Sequence, residues 1–388
     1  MNRDGRPSGR PSVDRRKFLT ASAATAGLAA TAGVAGKVLI GKRPAPSASP
    51  GGGSSSAAGG TGAGGTGGGT GAPATQGPAQ AAPALQAPAG AELSVPGISP
   101  FYTATSQLYR TDTAIKVPQV SQQAWQLRIH GMVDRPITIG YDQLIRRPML
   151  EHDVTLTCVA YEPGGSLVGN ARWHGTLLAD LLREAGVQAG ADQLVMRDVQ
   201  GMNIGIATDA VLDGRKALLA IGMNGQPLPP VHGYPARVVV PGVYGFTSAC
   251  KWVVDMELTT FQAFTTYWTR SGWAEYAPIK ISSRIDVPKT GARITAGKAV
   301  IAGVAWEQRR GIEAVEVYAD GGWHEATLAA QDNPDTWRQW YYRWDATPGS
   351  HTIRVRATDK TGHVQTSAVQ TGKPSGSTGL HTIQVTVV

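Results

Sequence analysis

Cysteine is scarce in this chain. Only Cys158 and Cys250 occur in 388 residues, and neither sits in a CxxC or CxxCH pattern. Zinc ribbons, covalently attached c-type haem and thioredoxin-like dithiol chemistry need such spacings, so none of them is supported. Charge is missing over a long stretch as well. Residues 44–91 contain no Asp, Glu, Lys or Arg and are mostly Gly, Ala, Pro, Ser and Thr. That composition cannot bury enough apolar surface to offset the entropy of ordering it. A flexible linker is expected there, with ends about 40 Å apart as a random coil. A net excess of positive charge is also nearly absent from most of the chain, despite a net charge of +8. Residues 1–43 hold nine Lys or Arg against two Asp, which is +7, so about +1 remains for all the rest. No basic face is left to bind nucleic acid, and that class of partner is excluded. There is no internal repeat.

The basic segment has an order of its own. Asp14-Arg15-Arg16-Lys17-Phe18-Leu19-Thr20 is followed by a weakly apolar run over residues 21–40, rich in Ala, Gly and Thr and interrupted by Lys37. Charged, apolar and small-residue regions in this sequence resemble a twin-arginine export signal, which implies an extracytoplasmic protein. The run is barely long enough to span a bilayer and its hydrophobicity is low. Retained, it would make the linker a membrane tether; cleaved, it would leave the linker as a spacer.

From Glu92 onward the composition is that of a folded protein, and 41% hydrophobic residues suffice for a core. Residues 125–130 alternate apolar and polar as a strand does. Residues 154–156 form a second apolar strand that runs into Cys158, and residues 194–196, 237–240 and 252–254 read as further strands. Residues 175–185 read as a helix, with Leu177, Leu178, Leu181, Leu182 and Ala185 on one face and Gly186 as its stop. Thr208 is placed to cap a short helix ending at Leu212. Residues 92–280 are therefore expected to form a mixed α/β domain. Beyond it, residues 300–304, 315–318, 337–344, 352–357 and 381–387 look like strands parted by turn residues such as Asp320-Gly321-Gly322. Short strands at this spacing predict an all-β sandwich over residues 281–388.

Two constellations could carry chemistry. Cys158 ends a strand and opens a glycine-rich loop through Asn170. A thiolate is a soft, strongly donating metal ligand, and glycines let backbone approach a bulky group. A lone cysteine in an apolar segment is also an ordinary small buried residue. The second constellation is His232-Gly-Tyr-Pro-Ala-Arg237 together with the loop that ends Ser248-Ala249-Cys250-Lys251. Guanidinium, ammonium and exposed backbone amides suit a phosphate-bearing cofactor. The residue types alone fit a solvated surface loop equally well.

Longer motifs decide between these readings. Cys158-Val159, Gly165 and residues 168–173 resemble the molybdenum-ligand segment of the sulfite oxidase family. Residues 220–228 and 232–237 resemble its cofactor-anchoring segment, and Tyr267-Trp268, Gly272-Trp273 and residues 283–286 continue the likeness. The chain after residue 290 is similar to the family's immunoglobulin-like dimerisation domain. The resemblance covers about residues 100–388. It implies a molybdenum–molybdopterin cofactor, Cys158 as the protein ligand to the metal, and two-electron oxygen-atom transfer on a small oxyanion or oxo compound. It further implies that His232, Arg237 and the segment Ser248, Ala249, Cys250 and Lys251 hold the pterin and its phosphate. Tyr109, Arg110 and Asp198 would be additional contacts, Arg110 also toward an oxyanion substrate. A homodimer follows from the last domain. No haem pattern is present, so electrons would pass to or from a separate haem- or quinone-linked protein.

Three departures bear on the substrate. Residues 201–205 carry no tyrosine where sulfite oxidases proper have one near the metal. Tyr161 stands where Asn is common, and Cys250 adds a thiol to the cofactor loop. A sulfoxide or other oxo-compound reductase on the same cofactor is the first alternative. The second is of another class: a surface-anchored, immunoglobulin-like binding protein without cofactor, in which Cys158 and Cys250 form a disulfide.

Overall fold

The computed structural model describes residues 85–388. The export signal and nearly all of the expected linker lie outside the described residues. Residues 85–91, the end of that linker, run against the folded part: Ala91 is buried, and the Ala330 N–H donates to the Gly90 carbonyl at 2.8 Å.

The first half of the described chain holds ten strands. In chain order they are β1 (Gln126–Gly131), β2 (Ile137–Gly140), β3 (Leu150–Thr157), β4 (Val168–Leu177), β5 (Gln193–Asp198), β6 (Asn203–Ala207), β7 (Leu218–Met223), β8 (Gln226–Pro227), β9 (Arg237–Val239) and β10 (Val253–Thr259). Helices are few and short: α1 (Tyr141–Leu144), α2 (Leu178–Ala185), α3 (Asp209–Leu212), α4 (Gly245–Ser248) and α5 (Tyr267–Arg270). One sheet has the order β2-β1-β10-β5-β6, with β1 and β10 parallel. The other runs β3-β4-β7-β8, and β9 also pairs with β7. The expected mixed α/β domain is thus mostly β-sheet, and only α2 contributes a sizeable helical face to the core.

The helix expected from residue 175 starts later, at Leu178. Gly175 still belongs to β4, where it pairs with Leu150 on one side and Ala220 on the other. A Cβ at Gly175 would sit 2.3 Å from the Leu219 carbonyl oxygen, so the close approach of β7 selects glycine and keeps the chain extended. Leu178, Leu181, Leu182 and Ala185 are buried as their spacing requires. Gly186 ends α2 at φ 72°, its N–H bonded to the Leu182 and Arg183 carbonyls. Thr208 does precede α3, but its hydroxyl makes no cap hydrogen bond. Trp252 is not part of a strand; its φ of 52° breaks the chain just before β10.

The second half is a β-sandwich. Strands β11 (Ser282–Val287), β13 (Gly297–Trp306), β17 (Arg338–Ala346) and β16 (Thr327–Leu328) form one sheet. Strands β12 (Arg293–Ile294), β19 (Thr382–Val387), β18 (Gly349–Asp359), β14 (Ile312–Ala319) and β15 (Gly322–Glu325) form the other. Trp340 and Trp344 fill the space between the sheets together with Ile301, Val317 and Val355. Asp320 and Gly321 turn β14 into β15 with φ of 50° and 86°, the left-handed pair a two-residue hairpin needs.

The two halves share a further apolar core. Tyr161 meets Trp306 edge-on at 5.3 Å, among Phe101, Val159, Val168, Ile279 and Trp337. Hydrogen bonds cross the same boundary: His152 to Asp335 at 2.9 Å, the Trp337 N–H to Thr155 Oγ1 at 2.7 Å, and Arg284 to the Gly165 carbonyl at 2.9 Å. Tyr161 therefore follows Cys158 by three residues yet serves the packing of the sandwich.

Candidate active site

A cleft of about 1080 Å³, partly open to solvent, lies where β3, β9 and the loops around Asp112, Asp198 and Lys251 converge. Cys158 is the first residue past β3, and backbone bonds fix it on both sides. Its N–H donates to Leu167 at 3.0 Å, and its carbonyl accepts from Tyr161 at 2.9 Å. Burial pushes the thiol up, opposed by the Ala160 N–H and the Thr111 hydroxyl. The Thr111 hydroxyl is buried and makes no hydrogen bond of ordinary geometry among the described residues.

Arg237 opens β9 and is fully enclosed. Its guanidinium reaches only two carbonyl oxygens, His232 at 3.3 Å and Val238 at 3.5 Å, and lies 4.9 Å from the Trp173 ring. Among the described residues no carboxylate pairs with it. Burial pulls it down to about 10. A buried cation without a counter-ion is costly, and five donors with two long contacts are poorly used. His232 ends a one-turn 3-10 helix, Pro230–His232, and its Nε2 donates to the Thr105 carbonyl at 3.0 Å. Burial, and then Arg237, push it down to about 4, so the ring is neutral near pH 7. Gly233, at φ 107°, lets this turn touch the opposite loop, since a Cβ there would stand 3.1 Å from Lys251.

Lys251 is paired with Asp112 and lies 4.8 Å from the Trp252 ring. Burial lowers its ammonium to about 8 against the pull of Asp112. Asp112 also takes a two-point contact from Arg110, at 2.7 and 3.1 Å. Burial raises the Asp112 carboxyl, but Arg110 and Lys251 outweigh it and hold it below the usual range. Asp198 faces the cleft too, while its Oδ1 accepts the Gln200 and Met202 N–H groups and closes the β5–β6 hairpin. Its carboxyl is raised, mainly by burial.

Of the residues singled out in the sequence, Cys158, Tyr109, Asp198, His232, Arg237, Ala249, Cys250 and Lys251 line one cleft. Two do not. Arg110 is turned aside onto Asp112, with about a third of its side chain exposed. Ser248 faces inward to its own one-turn helix, its hydroxyl donating to Val243 and Tyr244 at 3.0 Å. Cys250 and Cys158 are both buried and unbridged. Sequence reasoning missed Asp112, whose pairing with residue 251 has no local signature. It also missed Met202, Ile204, Phe246 and Trp252 as walls of the cleft.

The donor set fits the implied cofactor. A lone unpaired guanidinium and an ammonium suit an anionic group, an orphaned hydroxyl waits beside a thiol, and no group of three His, Cys, Asp or Glu among the described residues could hold a metal by itself. These features define a cleft for an anionic organic cofactor that brings its own metal.

Comparison with known proteins agrees. A family model described as oxidoreductase molybdopterin-binding domain matches residues 114–268, and a bacterial Ig domain model matches 282–355. The mitochondrial sulfite oxidase of Rattus norvegicus is 27% identical over 288 residues, covering 62% of this chain and 52% of that protein. The chain thus spans about half the length of the curated sulfite oxidases it matches. The uncharacterized oxidoreductase YuiH of Bacillus subtilis (strain 168) is 31% identical over 149 residues, 38% of this chain and 72% of that protein. Among solved structures, the sulfane dehydrogenase SoxCD from Paracoccus pantotrophus superposes with a TM-score of 0.64 at 24% identity, over 74% of this chain and 81% of that one. The chain belongs to the sulfite oxidase family of molybdopterin-dependent oxidoreductases, and its cofactor is molybdenum–molybdopterin.

Proposed function

We propose that this protein is an exported enzyme that catalyses two-electron oxygen-atom transfer on a small oxyanion or oxo compound, with Cys158 as the protein ligand to molybdenum. The observation that carries the reading is the convergence of a strand-end thiol and an unpaired, buried guanidinium in one cleft. When bound, the cofactor supplies the two-electron exchange of an oxygen atom. The chain's own residues hold and orient it. Arg237 and Lys251 offer charge-assisted hydrogen bonds to the phosphate, neutral His232 adds no further charge, and Tyr109 closes the wall beside Cys158. The aromatic rim of Phe246, Trp268 and Trp273 keeps water from the reacting centre. Export by the twin-arginine route lets the cofactor be loaded before secretion, so that Cys158 is already ligated when it meets an oxidising compartment. Electrons go to or come from a separate haem- or quinone-linked protein, and residues 281–388 dimerise.

The experiment is Cys158→Ser. The variant should fold with an unchanged unfolding transition and lose turnover together with the sulfur-to-molybdenum charge-transfer absorption. Full specific activity with an unchanged spectrum would remove Cys158 from the metal.

A further inference from the structure

The Cys158 sulfur faces two hydrogen-bond donors. The first is local. The Cys158 carbonyl accepts the Tyr161 N–H at 2.9 Å, which closes a tight turn. Within that turn the Ala160 N–H is directed at the sulfur. The second comes from a segment distant in sequence. Thr111 lines the same cleft as Cys158 and Ala160, and its hydroxyl is placed beside the sulfur.

Thr111 is held in that position by its neighbour. Asp112 is tied by ion pairs to Arg110 and, across the cleft, to Lys251, and its Oδ1 accepts the Ala114 N–H at 3.1 Å. A side chain on a loop pinned in this way needs little further ordering to make a bond. Yet the Thr111 oxygen is buried and makes no hydrogen bond of ordinary geometry among the described residues. A buried hydroxyl without a partner is a cost to the empty fold. A neutral thiol is only a weak acceptor and does not engage it. An anionic sulfur is a strong one, since hydrogen bonds to ionised groups are about twice as strong as neutral ones. The hydroxyl hydrogen rotates to suit such an acceptor.

Resting on the assignment of Cys158 to molybdenum, we infer that Thr111 is a positioning residue of the metal site, whose hydroxyl donates to the Cys158 thiolate when the cofactor is bound. Together with the Ala160 N–H it draws charge away from the sulfur. A thiolate that donates less leaves its metal easier to reduce, which is how hydrogen bonds around a ligating sulfur tune a potential. Thr111 thus acts through Cys158 and sets the potential at which the site exchanges electrons.

The test compares wild type, Thr111→Val and Thr111→Ser as purified holoenzymes of measured molybdenum content. Valine keeps the branched shape and removes the hydroxyl, whereas serine keeps the hydroxyl. Thr111→Val should move the sulfur-to-molybdenum charge-transfer absorption to longer wavelength. It should also favour the oxidised metal about tenfold at a fixed mediator potential, a fall of about 59 mV for one electron. Thr111→Ser should return both readings to those of wild type. Apoprotein of Thr111→Val should unfold in urea at a midpoint no lower than wild type, because the lost hydroxyl had no partner there. A valine variant with the wild-type band and potential would overturn the inference and leave Cys158 on the metal. A serine variant that behaves like the valine one would overturn it too, since the effect would then follow shape and not the hydroxyl. Wild-type holoenzyme without the charge-transfer band would remove Cys158 from the metal, and with it the acceptor that this bond requires.

Discussion

Replacing Arg237 by methionine should move two properties in opposite directions. The side chain is fully enclosed, contacts only backbone oxygens beyond 3.2 Å, and is drawn from 12.5 to about 10 by burial. At about 1.4 kcal/mol per unit, the charged form costs the cofactor-free domain on the order of 3 kcal/mol. The Trp173 face, 4.9 Å away, returns about a third of that. Methionine has a similar length, carries no charge and fills irregular space well. Apoprotein of Arg237→Met should therefore be more stable than wild-type apoprotein by about 1 to 3 kcal/mol in urea unfolding. The holoprotein should behave in the reverse way. It loses charge-assisted hydrogen bonds, each worth about 1.5 to 3 kcal/mol, so molybdenum retained after purification should fall by about tenfold or more. Apoprotein can be made in a host unable to synthesise molybdopterin, and metal content read by mass spectrometry. A variant less stable as apoprotein, or one with undiminished molybdenum, would refute the argument that Arg237 is held in reserve for an anion.

Three further outcomes follow from other parts of the molecule. His232 and His381 are each pushed down to about 4 by burial, so both are neutral when folded while the unfolded chain takes up protons below about 6.5. Their contribution is complete above pH 6.5 and is lost as the pH falls toward 4; the apoprotein should lose several kcal/mol over that window, and His381→Gln should flatten the profile. Cys250→Thr should retain activity near wild type, and denatured holoprotein should titrate two thiols with or without prior reduction; a Cys158–Cys250 bridge would contradict the assignment. Trp306→Ala opens the core shared by the two halves and should cost about 3 to 5 kcal/mol in a single urea transition, whereas two separate transitions would show that the halves fold independently.

The fold was legible where the local pattern and the packing agree. Strand-like alternation located β1, and the leucine spacing located α2. Gly175 misled because its role is set by Leu219 in β7, 44 residues on in the chain, and a helix pattern can be read through any glycine. The predominance of sheet was hidden for another reason: β2, β6 and β8 are edge strands of four, five and two residues, each paired in a hairpin with the strand just before it, and too short to show a clear alternation. Residues 85–91 read as linker because they carry no charge, yet Ala91 is buried by a neighbour from the sandwich. A shortened chain should accordingly begin before residue 85, not at 91.

The site was legible in its thiol, imidazole and guanidinium through the motifs of the family resemblance, since the residue types alone fit a small buried cysteine and a solvated loop as well. It was not legible in its charge balance. The resemblance places Arg110 toward an oxyanion substrate, and nothing in that likeness shows which group the guanidinium pairs with. The partner lies two residues on, and Asp112 takes Lys251 from the far side of the cleft as well. One carboxylate thus holds two cations: it turns Arg110 aside and ties Lys251 at the wall of the cleft. The same reasoning separates Arg237 from both. It sits at the start of β9, flanked by backbone and Trp173, where no acidic residue of the described chain can follow it. The unpaired cation therefore marks where negative charge on the cofactor would sit.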